Sequence, residues 1–174
     1  EEEPQTAIEL PVDAYLPETY VSDTGHKVDL YRRLAAMRVP GAIEDMRGEL
    51  RDRFGPLPAP VENLLLVTRL RIVATRCGIT SIVRAPDGVV CKFGLPKRLS
   101  GEALVAFVNR HHDTVSLRAR KEVTMRVKVP RDLPVVGKVG QPRDAGAKAL
   151  KRTLQVVELL HDEAVGPAAA VSAK

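Results

Sequence analysis

Two acidic side chains near the middle of the chain have the spacing of an ion-pairing surface. They lie in the stretch Glu49-Leu50-Arg51-Asp52-Arg53-Phe54-Gly55-Pro56-Leu57-Pro58. Residues three apart on a helix share one face, so Glu49 and Asp52 project together into solvent, while Leu50 and Phe54 point inward. Such a pair beside a sharp helix end can bind guanidinium groups of a partner. The alternative is that both acids pair with arginines of the same stretch or remain solvated.

The rest of the chain has no recognisable catalytic or metal-binding pattern. A phosphate-binding loop needs closely spaced glycines followed by Lys-Ser or Lys-Thr, and a hydrolase nucleophile needs Gly-x-Ser-x-Gly. The adjacent histidines His111 and His112 would diverge by about 100° on a helix, so they cannot share one metal. We expect them to form the polar end of a helix beside Asp113. We therefore predict no catalytic residues, no metal and no cofactor.

Composition indicates a globular chain from a reducing compartment. Of 174 residues, 44% are hydrophobic and 28% are charged, which fits neither a disordered nor a membrane protein. No apolar run approaches the roughly 20 residues of a transmembrane helix. Cys77 and Cys91 are too few for a disulfide scaffold and match no zinc spacing. We expect two reduced, buried cysteines and a cytoplasmic protein.

Hydrophobic periodicity predicts an α+β order of elements. Apolar residues recur at helical spacing over 26–37, 42–54 and 60–77, and the period changes to alternation after Gly78. Pro86-Asp87-Gly88 between two alternating runs predicts a hairpin over 79–93. The other expected elements are an edge strand over 8–12, a helix after Ser100, strands over 114–117 and 123–129, and a helix over 145–164. We predict a small antiparallel sheet covered by several helices, the first three included.

The ends of the chain indicate a piece of a longer polypeptide. It opens on Glu1-Glu2-Glu3-Pro4-Gln5 rather than on methionine. We assign 1–7 to a linker, 8–164 to a single α+β domain and 165–174 to a disordered tail. The Pro- and Gly-rich loop 130–142 is expected to be mobile.

Basic residues are concentrated in segment 114–152. This segment holds eleven basic and three acidic residues, whereas residues 1–30 hold one basic and eight acidic. A nucleic-acid-binding module that uses the basic 114–152 face is therefore the alternative function. The segment contains no aromatic residue, so it offers no platform for base stacking. A steep salt dependence of DNA binding would favour this alternative.

Four motifs, taken in order, resemble those of one protein family. They are Leu30-Tyr31-Arg32-Arg33-Leu34-Ala35, the stretch from Glu49 to Pro58, Leu70-Arg71 and Cys77-Gly78-Ile79. Their order is similar to that in the C-terminal domain of bacterial transcription-repair coupling factor. The resemblance covers roughly residues 8–93. Over residues 94–174 only the general order of helices and strands is similar.

The resemblance implies an interaction domain of a DNA repair protein. The parent would be an ATP-dependent DNA translocase that displaces stalled RNA polymerase, with its ATP and DNA sites in other domains. The C-terminal domain would be an autoinhibitory lid that docks on the UvrB-like N-terminal module of the same polypeptide and masks the surface that recruits UvrA. By position, Glu49 and Asp52 correspond to the acids of the docking face.

We extend this expected docking site to Arg53 and Phe54, which fix the helix end that presents the acids. The parent links the chain indirectly to UvrA and RNA polymerase. We expect weak or no DNA binding by the chain itself, no membrane association and a monomer.

Overall fold

The computed structural model describes residues 3–94, 99–129 and 144–166, apart from the side chains of residues 144 and 145. The helices are α1 (Thr24–Ala36), α2 (Gly41–Phe54), α3 (Ala59–Arg76), α4 (Gly101–Arg110) and α5 (Asp144–Leu160), and a π-helical segment (His161–Val165) follows α5. The strands are β1 (Ala7–Glu9), β2 (Ile79–Ala85), β3 (Gly88–Phe93), β4 (Val115–Ala119) and β5 (Val123–Lys128). None of the described helices is both long and apolar enough to cross a membrane.

The strands form one five-stranded sheet in the order β1-β2-β3-β5-β4. The pairs β2–β3, β3–β5 and β4–β5 are antiparallel, and β1 lies at an edge as expected. The predicted fold class is confirmed: a small sheet covered by helices. The predicted antiparallel pairing is wrong for one strand: β1 runs parallel to β2. The long crossover through α1, α2 and α3 permits this arrangement, since parallel neighbours need a connection of a dozen or more residues.

Helix α3 separates two hydrophobic cores. One side buries Leu70, Val73 and Ala74 in the core formed with the sheet, α4 and α5. The other side buries Val61 and Leu65 in a second core formed with α1 and α2. We therefore correct the prediction that all three first helices cover the sheet. Helices α1 and α2 contribute no described side chain to the sheet core, because the two-sided apolar surface of α3 lies between them and the sheet.

Local signals explain where the helices begin and end. Asp23 accepts a hydrogen bond from the His26 backbone N–H at 2.7 Å at the start of α1, and Ser100 accepts one from Ala103 at 3.1 Å at the start of α4. Gly55 and Gly78 have φ angles of 87° and 75°, which glycine adopts without strain. These two glycines end α2 and α3.

The chain ends differ in detail from the expected boundaries. Strand β1 begins at Ala7, and the preceding Thr6 is buried with its hydroxyl donating to the Ile79 carbonyl at 2.6 Å. The expected last helix continues beyond α5 as the π-helical segment, where Val165 is buried. The loop 130–142 and residues 167–174 of the expected tail lie outside the described residues.

Cys77 and Cys91 are free and buried, and burial raises the pKa of each thiol to about 12.

The β2–β3 hairpin confirms the turn predicted from Pro86-Asp87-Gly88. Ala85 pairs with Gly88, so Pro86 and Asp87 form the turn and Gly88 is the first residue of β3. Gly88 also pairs with Lys128 of β5. A Cβ atom at this position would clash with the backbone carbonyl of Val127, which explains the need for glycine.

We expect Gly88→Ala to lower the free energy of unfolding by about 1–3 kcal/mol, the usual cost of an overpacked site. The matched control is Gly48→Ala in α2, where the added Cβ meets nothing within 4 Å. This control should raise stability by about 0.5–1 kcal/mol, because alanine is the better helix former. Urea unfolding measures both, and equal effects of the two substitutions would contradict the close approach of β5.

Candidate docking site

The C-terminal end of α2 is held in place by Tyr20. Its hydroxyl donates to the carbonyl oxygens of Leu50 at 3.1 Å and Gly55 at 2.9 Å. The Gly55 backbone N–H donates to the Arg51 carbonyl at 3.0 Å. Leu50 is buried in the second core. The Tyr20 contacts tie the last turn of α2 to Gly55, so this turn presents its outward side chains from a fixed backbone.

Glu49 is bound by arginines from two helices. Arg33 of α1 donates two hydrogen bonds, Nη1 to Oε1 at 2.9 Å and Nη2 to Oε2 at 2.6 Å. Arg53, one turn further along α2, donates to Oε1 at 3.0 Å. The alternative of local pairing therefore holds for Glu49, because Arg53 is its partner within the same stretch. The sequence did not reveal Arg33 as a partner, because only the packing of α1 against α2 brings it to Glu49.

These contacts change the proton affinity of Glu49. The hydrogen bonds from Arg33, and then from Arg53, outweigh desolvation and hold the pKa of Glu49 at about 2, below the ordinary 4.5. The same pair raises the pKa of Arg33. Glu49 is therefore ionised at neutral pH, and its charge is already compensated within this chain.

Asp52 occupies the same face as Glu49 and has a different environment. Its side chain is exposed, and no ion pair or hydrogen bond joins it to any residue within 3–94, 99–129 or 144–166. The structure thus brings together one neutralised acid and one acid whose oxygens are available. Both carboxylates are positioned by the α2 backbone that Tyr20 fixes.

Arg53 and Phe54 complete the helix end, with one correction. The Arg53 guanidinium lies 5.1 Å from the centroid of the Phe54 ring, a cation–π geometry. The Phe54 ring contacts Tyr20, with ring centroids 5.7 Å apart. Phe54 packs against the second core but is only partly buried, whereas its spacing predicted an inward-facing ring. The difference arises because Phe54 is the last residue of α2, at the margin of that core.

The described basic residues of segment 114–152 do not form one continuous free face. Arg126 is paired with Asp87, and Lys128 Nζ donates to the His112 carbonyl at 2.8 Å. Arg152 Nε donates to the Lys128 carbonyl at 2.8 Å. Residues 130–143 lie outside the described residues. Three other basic side chains are exposed near the β4–β5 turn: Arg118, Arg120 and Lys121.

His111 and His112 lie at the end of α4 beside Asp113, as expected from the sequence. His111 follows α4, and His112 Nε2 lies 3.3 Å from Asp113. His111 and Arg110 contact Glu163 of the π-helical segment at 3.0 Å each. Burial opposes ionisation of Glu163, but hydrogen bonds from His111 and Arg110 prevail and lower its pKa. Within the described parts of the chain, no group of three or more His, Cys, Asp or Glu side chains could hold a metal ion.

Comparison with known proteins defines the class. The family model of the TRCF domain matches residues 10–104, and the chain belongs to this family. Similar relatives are the transcription-repair-coupling factors of Mycobacterium tuberculosis, 32% identical over 160 residues, and Escherichia coli K12, 30% identical over 106 residues. These matches cover 92% and 61% of this chain, but only 12% and 9% of the relatives.

A solved structure supports the fold. The crystal structure of the C-terminal domain of transcription-repair coupling factor is similar with a TM-score of 0.68 and 18% identity. The match covers 91% of this chain and 96% of that one. The family resemblance predicted from the motifs is confirmed. Its extent was underestimated, because a match of 160 residues continues well beyond residue 93.

The Glu49 ion pairs predict a pH-dependent contribution to stability. We expect Glu49→Gln to lower the free energy of unfolding by about 1 kcal/mol at neutral pH, the upper range for partly exposed pairs. Because folding depresses the pKa of Glu49, this contribution is present above 4.5 and is lost as the pH falls towards about 2. Urea unfolding at several pH values checks this. Asp52→Asn is the control, with no expected change beyond about 0.5 kcal/mol, and a Glu49→Gln effect that stays constant with pH would contradict the prediction.

Because the Phe54 side chain is only partly buried, its removal should lower the free energy of unfolding by a moderate amount. We expect Phe54→Ala to lower the free energy of unfolding by about 2 kcal/mol, below the roughly 3–5 kcal/mol typical of a buried phenylalanine. Phe107→Ala is the comparison, because Phe107 is 1% exposed. Chemical denaturation of both variants checks the order, and an equal or larger loss for Phe54→Ala would show that its ring is a full core residue.

Proposed function

We propose that this chain is the autoinhibitory interaction domain of a transcription-repair coupling factor. It docks on the UvrB-like N-terminal module of the same polypeptide and masks the surface that recruits UvrA. The observation that carries the proposal is the end of α2, where the exposed Asp52, which has no side-chain partner among the described residues, stands beside the fixed carboxylate of Glu49. Membership in the TRCF domain family supplies the context for this surface.

The proposal concerns a part of a larger protein. The chain spans 12% or less of the curated relatives described above. We propose that the parent is a cytoplasmic ATP-dependent DNA translocase that acts with RNA polymerase and UvrA, and that its ATP and DNA sites lie in other domains. This chain then has a regulatory role and no catalytic one, and acts as a monomeric module within the parent.

The two acids have different roles in the proposed docking. A carboxylate offers about four acceptor positions, and Glu49 already uses three of them for Arg33 and Arg53. Asp52 retains its full acceptor capacity and is the better ligand for a guanidinium group of the partner. Glu49 instead orders the two arginines that flank the surface. This division favours a docking contact centred on Asp52.

Desolvation makes such a contact strong enough to hold a lid closed. An exposed ion pair contributes about 0–1 kcal/mol, which is too little for this purpose. When an interface buries the pair, loss of one partner costs roughly 2–5 kcal/mol. A cost of about 2.8 kcal/mol corresponds to a hundredfold change in an equilibrium constant, enough to move a lid from mostly closed to mostly open.

We expect Asp52→Asn to weaken binding of this chain to the isolated N-terminal module by about 30-fold or more, because it removes the free charge. Titration calorimetry measures the dissociation constants. The control is Glu102→Gln, which removes an exposed acid from α4, and it should leave the affinity unchanged. In the full-length parent, Asp52→Asn should also increase retention of UvrA. Unchanged affinity together with unchanged UvrA retention would refute the proposal.

A further inference from the structure

One face of the sheet is not covered by any helix that the structure describes. Cys91, Met125 and Leu117 are cross-strand neighbours on the face that packs in the sheet core. The next set of neighbours, Lys92, Thr124 and Arg118, must then point to the opposite face, because side chains alternate along a strand. None of these three residues is buried. As far as the described residues go, the outer face of β3, β5 and β4 is therefore accessible to a partner.

The open face ends in a basic hairpin tip, which we define as Lys92, Arg118, Arg120 and Lys121. Arg118, Arg120 and Lys121 are exposed, and no ion pair joins them to any residue that the structure describes. Together with Glu122 and Thr124 they line one shallow depression. Glu122 is the single acid at the tip, and it pairs with Lys92 at 2.6 Å. The tip therefore retains three uncompensated positive charges.

The tip differs from three other described basic residues of the segment. Arg126, Lys128 and Arg152 are committed to contacts within the chain, so their charges or donors serve the fold. Arg118, Arg120 and Lys121 make no such contact within the described ranges. Their positive charges have no structural role that the packing reveals. Three free cations grouped at one hairpin turn form a surface suited to an extended polyanion.

We propose that the basic hairpin tip binds the sugar–phosphate backbone of duplex nucleic acid, weakly and without sequence preference. Arg118 and Lys121 are three residues apart, at most roughly 10 Å along the chain, and their long side chains let the tip contact more than one phosphate. Guanidinium groups match phosphate oxygens, and the Thr124 hydroxyl adds a donor. The described outer face has no aromatic side chain for base stacking or for anchoring a protein partner.

This surface is separate from the α2 docking site. The tip lies on the sheet, whereas Glu49 and Asp52 lie on α2, which packs in the second core. Duplex binding by the tip requires no docking of the chain on another module. It would give the domain a second, electrostatic contact of low affinity, with dissociation constants of about 10⁻⁴–10⁻⁶ M.

The test measures binding of a fluorescent 30-base-pair DNA duplex to the 174-residue chain by anisotropy, at about 50 to 200 mM salt. With about three phosphates neutralised, the logarithm of the affinity should fall with the logarithm of salt with a slope of about −2.7, which is a loss of about 40-fold over this range. The triple variant Arg118→Gln/Arg120→Gln/Lys121→Gln should lose about tenfold in affinity at low salt and nearly all of the slope.

The matched control removes the same net charge elsewhere: Arg32→Gln/Arg51→Gln/Lys151→Gln, three exposed residues distant in sequence from the tip. It should retain most of the affinity and slope. A single-stranded oligonucleotide should bind more weakly than the duplex because its charge density is lower. Equal losses in both triple variants would show that net charge alone acts, and this would overturn the proposal. Absence of DNA binding, or binding of anionic vesicles or polyglutamate in preference to the duplex, would overturn it as well.

Discussion

The two-sided apolar surface of α3 is the constraint on which the fold depends. Because α3 packs against the sheet on one side and against α1 and α2 on the other, its buried residues lie on two sides of the helix. The sheet core fixes β2, β3 and β5 against Leu70 and Val73, while the second core fixes α1 and α2 against Val61 and Leu65. Because α3 belongs to both cores, the proposed docking surface on α2 and the outer face of the sheet are parts of one packed structure.

Polar contacts then fix the edges of this arrangement. Thr6 and Thr75 share a hydrogen bond at 3.0 Å, and Thr6 also donates to the Ile79 carbonyl, which places β1 beside β2. Arg71 of α3 donates to the carbonyls of Leu34 at 2.9 Å and Met37 at 3.3 Å at the end of α1. This side chain has no carboxylate partner among the described residues, and burial followed by the nearby Arg38 lowers its pKa. The negative end of the α1 dipole offsets part of that cost.

Local patterns determined much of this fold and left its long-range pairings open. The helices, the turn at Pro86-Asp87 and the glycines that end α2 and α3 follow from periodicity and backbone preferences, and the sequence showed them. The parallel pairing of β1 with β2 joins segments about 70 residues apart, and no local signal encodes it. The placement of α1 and α2 away from the sheet could not be predicted either. Periodicity indicates that a helix has an apolar face, but not which element packs against it.

The candidate site shows the same division between local and tertiary information. Spacing predicted that Glu49 and Asp52 share a face, but it could not show that Arg33 neutralises Glu49, whereas Asp52 has no side-chain partner among the described residues. Charge counting located the basic segment 114–152, but the packing decides which of its cations are engaged. Arg126 and Lys128 are used within the chain, and Arg118 remains exposed.

In the docked state that we propose, another module of the parent protein covers the end of α2. Hydrogen exchange measured by mass spectrometry on the isolated chain and on the full-length protein tests for this cover. We expect slower exchange in the full-length protein at the backbone amides over 49–56, with the sheet amides of β3 and β5 unchanged. Identical exchange of the 49–56 amides in the two proteins, or protection confined to another surface of the domain, would contradict it.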